Sequence, residues 1–167
     1  MAKRMIVMSR KGGKMIYYFP TVHGKNLEGQ EFTLPRDFEQ KRNLLVIAFK
    51  REQQHDSETW TPLLKRLTDE YPDLAFYELP VLTTFSPLRR LQINNGMRSA
   101  IADQGARHAT ITLYLEKEPF KHVLGIPDEE SISLMLVDQA GTIFWRTPGA
   151  WSQEKERDLT RFLQQTP

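Results

Sequence analysis

The sequence predicts an α/β sandwich, a central mixed sheet with helices on both faces, and three stretches carry that prediction. Leu44 to Phe49 is a continuous apolar run, short and partly β-branched, as in a strand buried on both faces. Trp60, Leu63, Leu64, Leu67 and Tyr71 then recur at i, i+3, i+4, i+7 and i+11, which places them on one face of a helix that Pro72 stops. Near the end, Ile132 to Val137, the turn Asp138-Gln139-Ala140-Gly141 and Thr142 to Arg146 read as a hairpin. A helix follows, with Ser152 as cap and Leu159, Phe162 and Leu163 facing inward.

The remaining elements fill in between. Met15 to Phe19 is a possible short strand ended by Pro20, followed by a turn-rich stretch through Gly24, Gly29 and Pro35. Between the core strand and the Trp60 helix, Lys50 to Ser57 reads as a polar loop. Ser57 caps the helix start, and Pro62 either kinks the helix or sits in a first turn that begins at Thr61. Leu74 to Leu82 is the second core strand, with Pro80 near its exit. A helical insert follows before the third core strand. Ser86-Pro87 starts it, and Leu88, Leu91, Ile93, Met97, Ala100 and Ile101 supply apolar positions. Asn94-Asn95-Gly96 suggests two short helices or one bent one, and Gly105 closes the second. Ala109 to Leu115 is the third strand, with Thr110, Thr112 and Tyr114 alternating with Ile111, Leu113 and Leu115. Glu118 to Leu124 is a short helical turn.

With 167 residues, 40% of them hydrophobic, the chain suffices for one core and is thin for two. The expected organisation is a basic N-terminal tail, residues 1–15, and one domain over 16–167. Residues 1 to 27 hold no acid. That stretch reads as a disordered basic tail, an organellar targeting segment, or an arm that touches anionic lipid or a partner. A net charge of +2 implies no nucleic-acid partner. The absence of cysteine excludes disulfides, thiolate metal sites and thiol peroxidase or dithiol-exchange chemistry within the chain. No apolar run approaches the roughly 20 residues of a membrane span, though peripheral membrane contact stays open. The expected location is cytoplasmic, or an organellar matrix or stroma.

Phe49, Gln54, Ser57 and Pro62 fall, without a gap, on the spacing at which thioredoxins end their core strand, place two cysteines and carry a helix proline. The dithiol is replaced by Gln54-His55-Asp56-Ser57. Redox enzymes of that fold usually carry a cis-proline before the Asp-x-x-Gly hairpin, and the matching residues here are Ser131-Ile132-Ser133. The chain therefore resembles a thioredoxin-like sandwich whose exchange site has been dismantled. Leu136-Val137-Asp138, Gly141, Ile143, Trp145-Arg146, Gly149 and Glu154 to Glu156 also resemble the C-terminal part of the ATP synthase assembly factors of this class, with peroxiredoxins as more distant relatives. That resemblance implies an assembly chaperone acting on a membrane-embedded protein subunit.

Other chemistry is thinly supported. His23, His55, His108 and His122 form no pair at ligand spacing, so no metal or other cofactor is expected. His55, Asp56 and Ser57 have the residue types of a hydrolytic triad, but contiguous residues do not normally converge as one. The bland reading is a solvated helix start, where Asp56 and Glu58 suit the positive dipole end. Arg89, Arg90, Arg98 and Arg107 with His108 form a basic set on the insert, read as a solvated face or as a partner or lipid surface. Trp145, Arg146 and Trp151 have the composition of a binding hot spot, although a strand Trp is more often packed than presented. Arg89, Arg98, Arg107, Trp145, Arg146 and Trp151 are thus the candidate partner-binding residues, and Gln54 to Ser57 a vestigial loop. The function expected is redox-inactive binding or assembly. The alternatives are a peroxiredoxin-like enzyme with altered chemistry in that loop, or a structural subunit of a larger complex.

Overall fold

The structure, a computed structural model, describes residues 8–11, 14–83 and 85–166. Its strands are β1 (Met8–Lys11), β2 (Lys14–Tyr17), β3 (Val22–Asn26), β4 (Glu31–Leu34), β5 (Arg42–Ala48), β6 (Leu74–Leu82), β7 (Ile111–Tyr114), β8 (Ser133–Val137) and β9 (Ile143–Pro148). Its helices are α1 (Gln54–Glu70), α2 (Pro87–Ala100), α3 (Gln104–Ala109), α4 (Lys117–Leu124) and α5 (Gln153–Gln165). A seven-stranded sheet runs β4-β3-β7-β6-β5-β8-β9. β5 pairs parallel with β6 and antiparallel with β8, so the sheet is mixed and the apolar run is central.

The run buries both of its faces, as its composition requires. Leu45 and Ile47 join one core cluster with Phe32, Leu34, Leu113, Phe120 and Leu124; Leu44 and Val46 join the other with Trp60, Leu64, Leu67, Leu159 and Leu163. Helix α4 therefore covers the first face, and α1 and α5 cover the second. Trp60 is fully buried, and its indole N–H donates to Gly149 O at 3.1 Å. Ser152 caps α5 by accepting from Lys155 N. In the β8–β9 turn the Asp138 carboxylate accepts from Ala140 N and Thr142 N. Gly141 sits there at φ +90, and a Cβ would lie 2.8 Å from Phe19 O, so only glycine fits.

Several expectations need correction. Lys50 to Ser57 is not a loop: a 3₁₀ turn over Arg51–Gln53 leads directly into α1, so Gln54 to Ser57 form its first turn. Ser57 is not the cap. It is buried and its hydroxyl donates back to Gln53 O at 3.3 Å. Of the two readings of Pro62, the start at Thr61 fails: Pro62 lies inside a helix that begins eight residues earlier. Helix α2 runs unbroken through Asn94-Asn95-Gly96, with Ser86 as its cap, and none of its residues is buried. Gly105 does not close a helix; it lies in α3, which Asp103 caps. The expected N-terminal tail, residues 1–15, lies partly outside the described residues, which omit 1–7 and 12–13; β1 and β2 pair antiparallel, with Met8 opposite Tyr17 and Lys11 opposite Lys14.

Candidate functional site: a stapled sheet edge and an open sheet face

The C-terminal end of β5 is where open α/β folds place their ligands. Here that end is tied down. The Gln53 side chain is 5% exposed, and its carbonyl oxygen accepts from Phe49 N at 2.8 Å and from Lys50 N at 3.2 Å. Its amide nitrogen donates to Glu129 O at 2.7 Å. The Lys117 ammonium donates to Phe49 O at 3.2 Å and lies 3.5 Å from the Glu129 carboxylate, which also pairs with Lys121 at 3.2 Å. Burial alone would raise the Glu129 pKa, but the Lys121 hydrogen bond and the charges of Lys117 and Lys121 hold it below the usual value. The strand end, the first turn before α1 and the 129–130 segment thus form one satisfied polar unit.

The four vestigial residues do not converge. Gln54 and His55 are exposed, Asp56 is half-buried and Ser57 is buried against Gln53 O. The Gln54 amide reaches Glu58 at 3.4 Å, a neighbour one turn along the same helix. No base–nucleophile hydrogen bond links His55 to Ser57. The stretch that leads into β8 at Ser133 is Ser131-Ile132, without a proline, and Ile132 is fully buried. Among the described residues, no three His, Asp or Glu side chains converge as a metal site.

The candidate partner-binding residues separate into several sites. Trp145 is 8% exposed and its indole donates to Asp158 at 2.7 Å, so it belongs to the core between β9 and α5 and is not presented. Arg146 points to the opposite side of the sheet. It donates to Leu124 O at 2.6 Å and stacks over Tyr17 at 5.2 Å, and burial lowers its pKa. Trp151 is exposed, with its indole on Glu156 at 2.8 Å. The expected aromatic–arginine hot spot is therefore not assembled. Arg107 and Arg98 converge on Glu28, at 2.6 and 3.5 Å, the first pair close but not aligned as a hydrogen bond. His108 lies 2.7 Å from Glu39. Arg89, near the Phe85 ring, remains exposed on the outer side of α2, beside Leu88 at 67% exposure.

Sequence reasoning missed Gln53, Lys117 and Glu129, whose roles depend on contacts across 76 or 68 positions of chain. It also missed an open face beside α2. A groove of about 770 Å³ lies between α2 and the β4-β3-β7 end of the sheet, lined among others by Lys25, Thr33, Thr112, Tyr114, Arg90 and Leu91. A second groove, of about 610 Å³, surrounds the Arg42–Asp73 pair at the other end of the molecule. Arg42 also donates to Leu163 O and Thr166 O, so it anchors the end of α5.

This fold and site define a class. The chain has the thioredoxin-like fold, with no cysteine at the position where that fold carries its dithiol. It is similar in structure to BsSco, of the Sco family of cytochrome c oxidase assembly proteins, with TM-score 0.60 and 13% identity over 89% of this chain and 93% of that one. A thioredoxin domain of a thiol-disulfide oxidoreductase from Bacteroides vulgatus matches with TM-score 0.51 and 19% identity, over 92% and 99%. A thiol peroxidase from Chromobacterium violaceum matches with TM-score 0.50 and 12% identity, over 95% and 96%. At these identities the likeness is one of fold. No protein-family model matches the chain, and no curated protein does.

Proposed function

We propose that the chain is a redox-inactive binding protein that assists assembly, holding a membrane-protein subunit while a larger complex forms, in the manner of the ATP synthase assembly factors it resembles. The observation that supports this most is the stapled end of β5. Where relatives of this fold expose a thiolate, this chain spends Gln53, Lys117 and Glu129 on closing the edge. Such a unit offers no nucleophile and no base positioned on one. One structural relative is itself a member of a family of assembly proteins. Binding then falls to exposed surface, and the outer side of α2 is the best provided. Leu88 is 67% exposed, Arg89 and Arg98 are exposed, and residues 79–102 contain no acid. Arg89, Arg98 and Trp151 are the candidates that stay accessible; Trp145, Arg146 and Arg107 act within the fold.

The test is co-purification from native membranes with two variants. Replacing Gln54 and His55 with Ala changes exposed side chains of the former redox site. Leu88→Asp combined with Arg89→Glu reverses the character of the α2 surface. The reading requires membrane-sector subunits of ATP synthase to be recovered with the wild type and the first variant, and lost with the second while its circular dichroism is unchanged. Loss with the first variant alone would return the function to the sheet edge and overturn this reading.

A further inference from the structure

The second face of the sheet is only half covered. Leu44 and Val46 pack under α1 and α5, but toward β7, β3 and β4 the same face carries polar side chains. Side-chain alternation fixes this. Ile111 and Leu113 belong to the first core cluster, so Thr112 and Tyr114 point the other way. A Cβ on Gly24 would meet Ile111 and Leu113, which puts His23 and Lys25 on the side of Thr112. Phe32 and Leu34 lie in the first cluster, so Glu31 and Thr33 share this open face. The register places Glu31, Lys25 and Thr112 in one row across three strands. Directly opposed Cβ atoms are about 5 Å apart, so the Lys25 and Thr112 side chains lie at one end of the groove.

Helix α2 walls this face with Pro87, Arg90, Leu91 and Asn94. The Arg90 guanidinium stacks over Tyr114 at 4.8 Å, its Nε donates to Phe85 O at 2.9 Å, and among the described residues no carboxylate pairs with it. Lys25 has one acidic partner, Glu31, at 3.6 Å, and their side chains are 55% and 83% exposed, a pair worth little. Thr112 is 3% exposed and its hydroxyl has no partner. Thr112 lines the groove, so its hydroxyl is a buried group at the groove wall whose hydrogen-bonding capacity is unused, and its hydrogen can turn to suit an acceptor that reaches it. Leu91 lines the groove while 56% exposed. At about 770 Å³ the groove falls in the range of small-molecule sites.

We propose that this groove binds a small amphipathic carboxylate, its head on Lys25, Thr112 and Arg90 and its apolar body along Leu91, Pro87 and Tyr114. The cations select the charge, because one exposed acid faces two bases there. The buried hydroxyl selects an acceptor, since an unmade hydrogen bond is recovered only by a group that can take one. The apolar wall selects a body longer than the head. This site goes beyond the assembly reading and stands whether or not a protein partner is ever identified, because it uses the inner side of α2.

The experiment is a titration of the full chain, labelled with nitrogen-15, with octanoate, octanol and acetate. Octanoate should saturate, moving the amides of Lys25, Thr112 and Leu91, with an affinity at least tenfold above octanol and acetate. Thr112→Val and Lys25→Gln should each weaken octanoate at least fivefold. Thr112→Val should also raise the melting temperature, which separates lost binding from lost folding. Equal affinity for octanol, equal affinity for acetate, absence of saturation, shifts confined to other surfaces, or unchanged octanoate affinity in Thr112→Val would each overturn the proposal.

Discussion

The end of β5 and the face beneath α2 belong to one sheet and solve opposite problems. At β5, Phe49 N, Lys50 N and Phe49 O each find a side chain, and the surrounding charges pair with one another. Beneath α2, a helix with no buried residue stands over the unpartnered Thr112 hydroxyl and the exposed Lys25–Glu31 pair. Closing a polar edge costs function and gains stability, because its donors and acceptors no longer wait for a ligand. Leaving a face open does the reverse. The position where this fold carries its dithiol is structural here, and the open, less fully paired surface lies beside the insert.

The largest test of that contrast compares two leucines. Leu64, 1% exposed beneath the covered half of the sheet, should cost on the order of 2–5 kcal/mol when changed to Ala. Leu88, 67% exposed on α2, should change stability by less than about 0.5 kcal/mol. Urea unfolding of both variants checks this. A cost for Leu88→Ala comparable to that of Leu64→Ala would show that α2 supports the core.

Next in size is the staple. Gln53→Ala removes an acceptor from Phe49 N and Lys50 N and a donor from Glu129 O, and it should cost about 2–3 kcal/mol, read from the denaturation midpoint. A smaller effect, of about 1 kcal/mol, should follow Glu129→Gln at neutral pH. The sign with pH follows from the lowered Glu129 pKa. The ion pairs contribute fully above the unfolded carboxylate value and are lost as pH falls through the folded one. Hydrogen exchange at Lys50 should therefore lose protection in acid, and Glu129→Gln should flatten that dependence. Protection that is constant from neutral pH into acid in the wild type would contradict it.

What the sequence showed, and what it hid, divides along the same line. Leu44 to Phe49, the Trp60 stripe and the Asp138–Gly141 turn were legible because period and turn chemistry act locally. The start of α1 was misread because polar Gln53-Gln54-His55-Asp56 looks like a loop. It is helical because Gln53 satisfies the strand end from within the turn. Asn94-Asn95-Gly96 looked like a break, yet α2 runs through it, since an exposed helix tolerates weak formers at a modest cost. Trp145-Arg146 looked like one site, but neighbours on a strand face opposite ways, one to Asp158 and the other to Leu124. The open face had one visible sign, the alternation of Thr110, Thr112 and Tyr114. Its row with Lys25 and Glu31 requires a strand pairing that period alone does not supply.

The smallest effect is expected where the two halves of the second face meet. Glu78 lies on β6, on the same face as Leu74 and Phe76, beside the region that α1 covers. Burial raises its pKa, and the charge of Glu58 raises it further. A carboxyl whose folded pKa is raised costs stability when it must ionise, so the penalty is present at neutral pH. It shrinks as pH falls through the folded value and vanishes below the unfolded one, near about 4.3. Glu78→Gln keeps the shape and removes the charge. It should therefore unfold at higher urea concentration than the wild type at pH 7, with the difference closing near pH 4. Glu58→Gln should give a weaker gain in the same direction, because it removes the secondary cause and leaves burial in place. If Glu78→Gln were no more stable than the wild type at pH 7, Glu78 would be ionised at no cost. The covered half of the face would then end before β6, and the open surface would extend from β4 to β6.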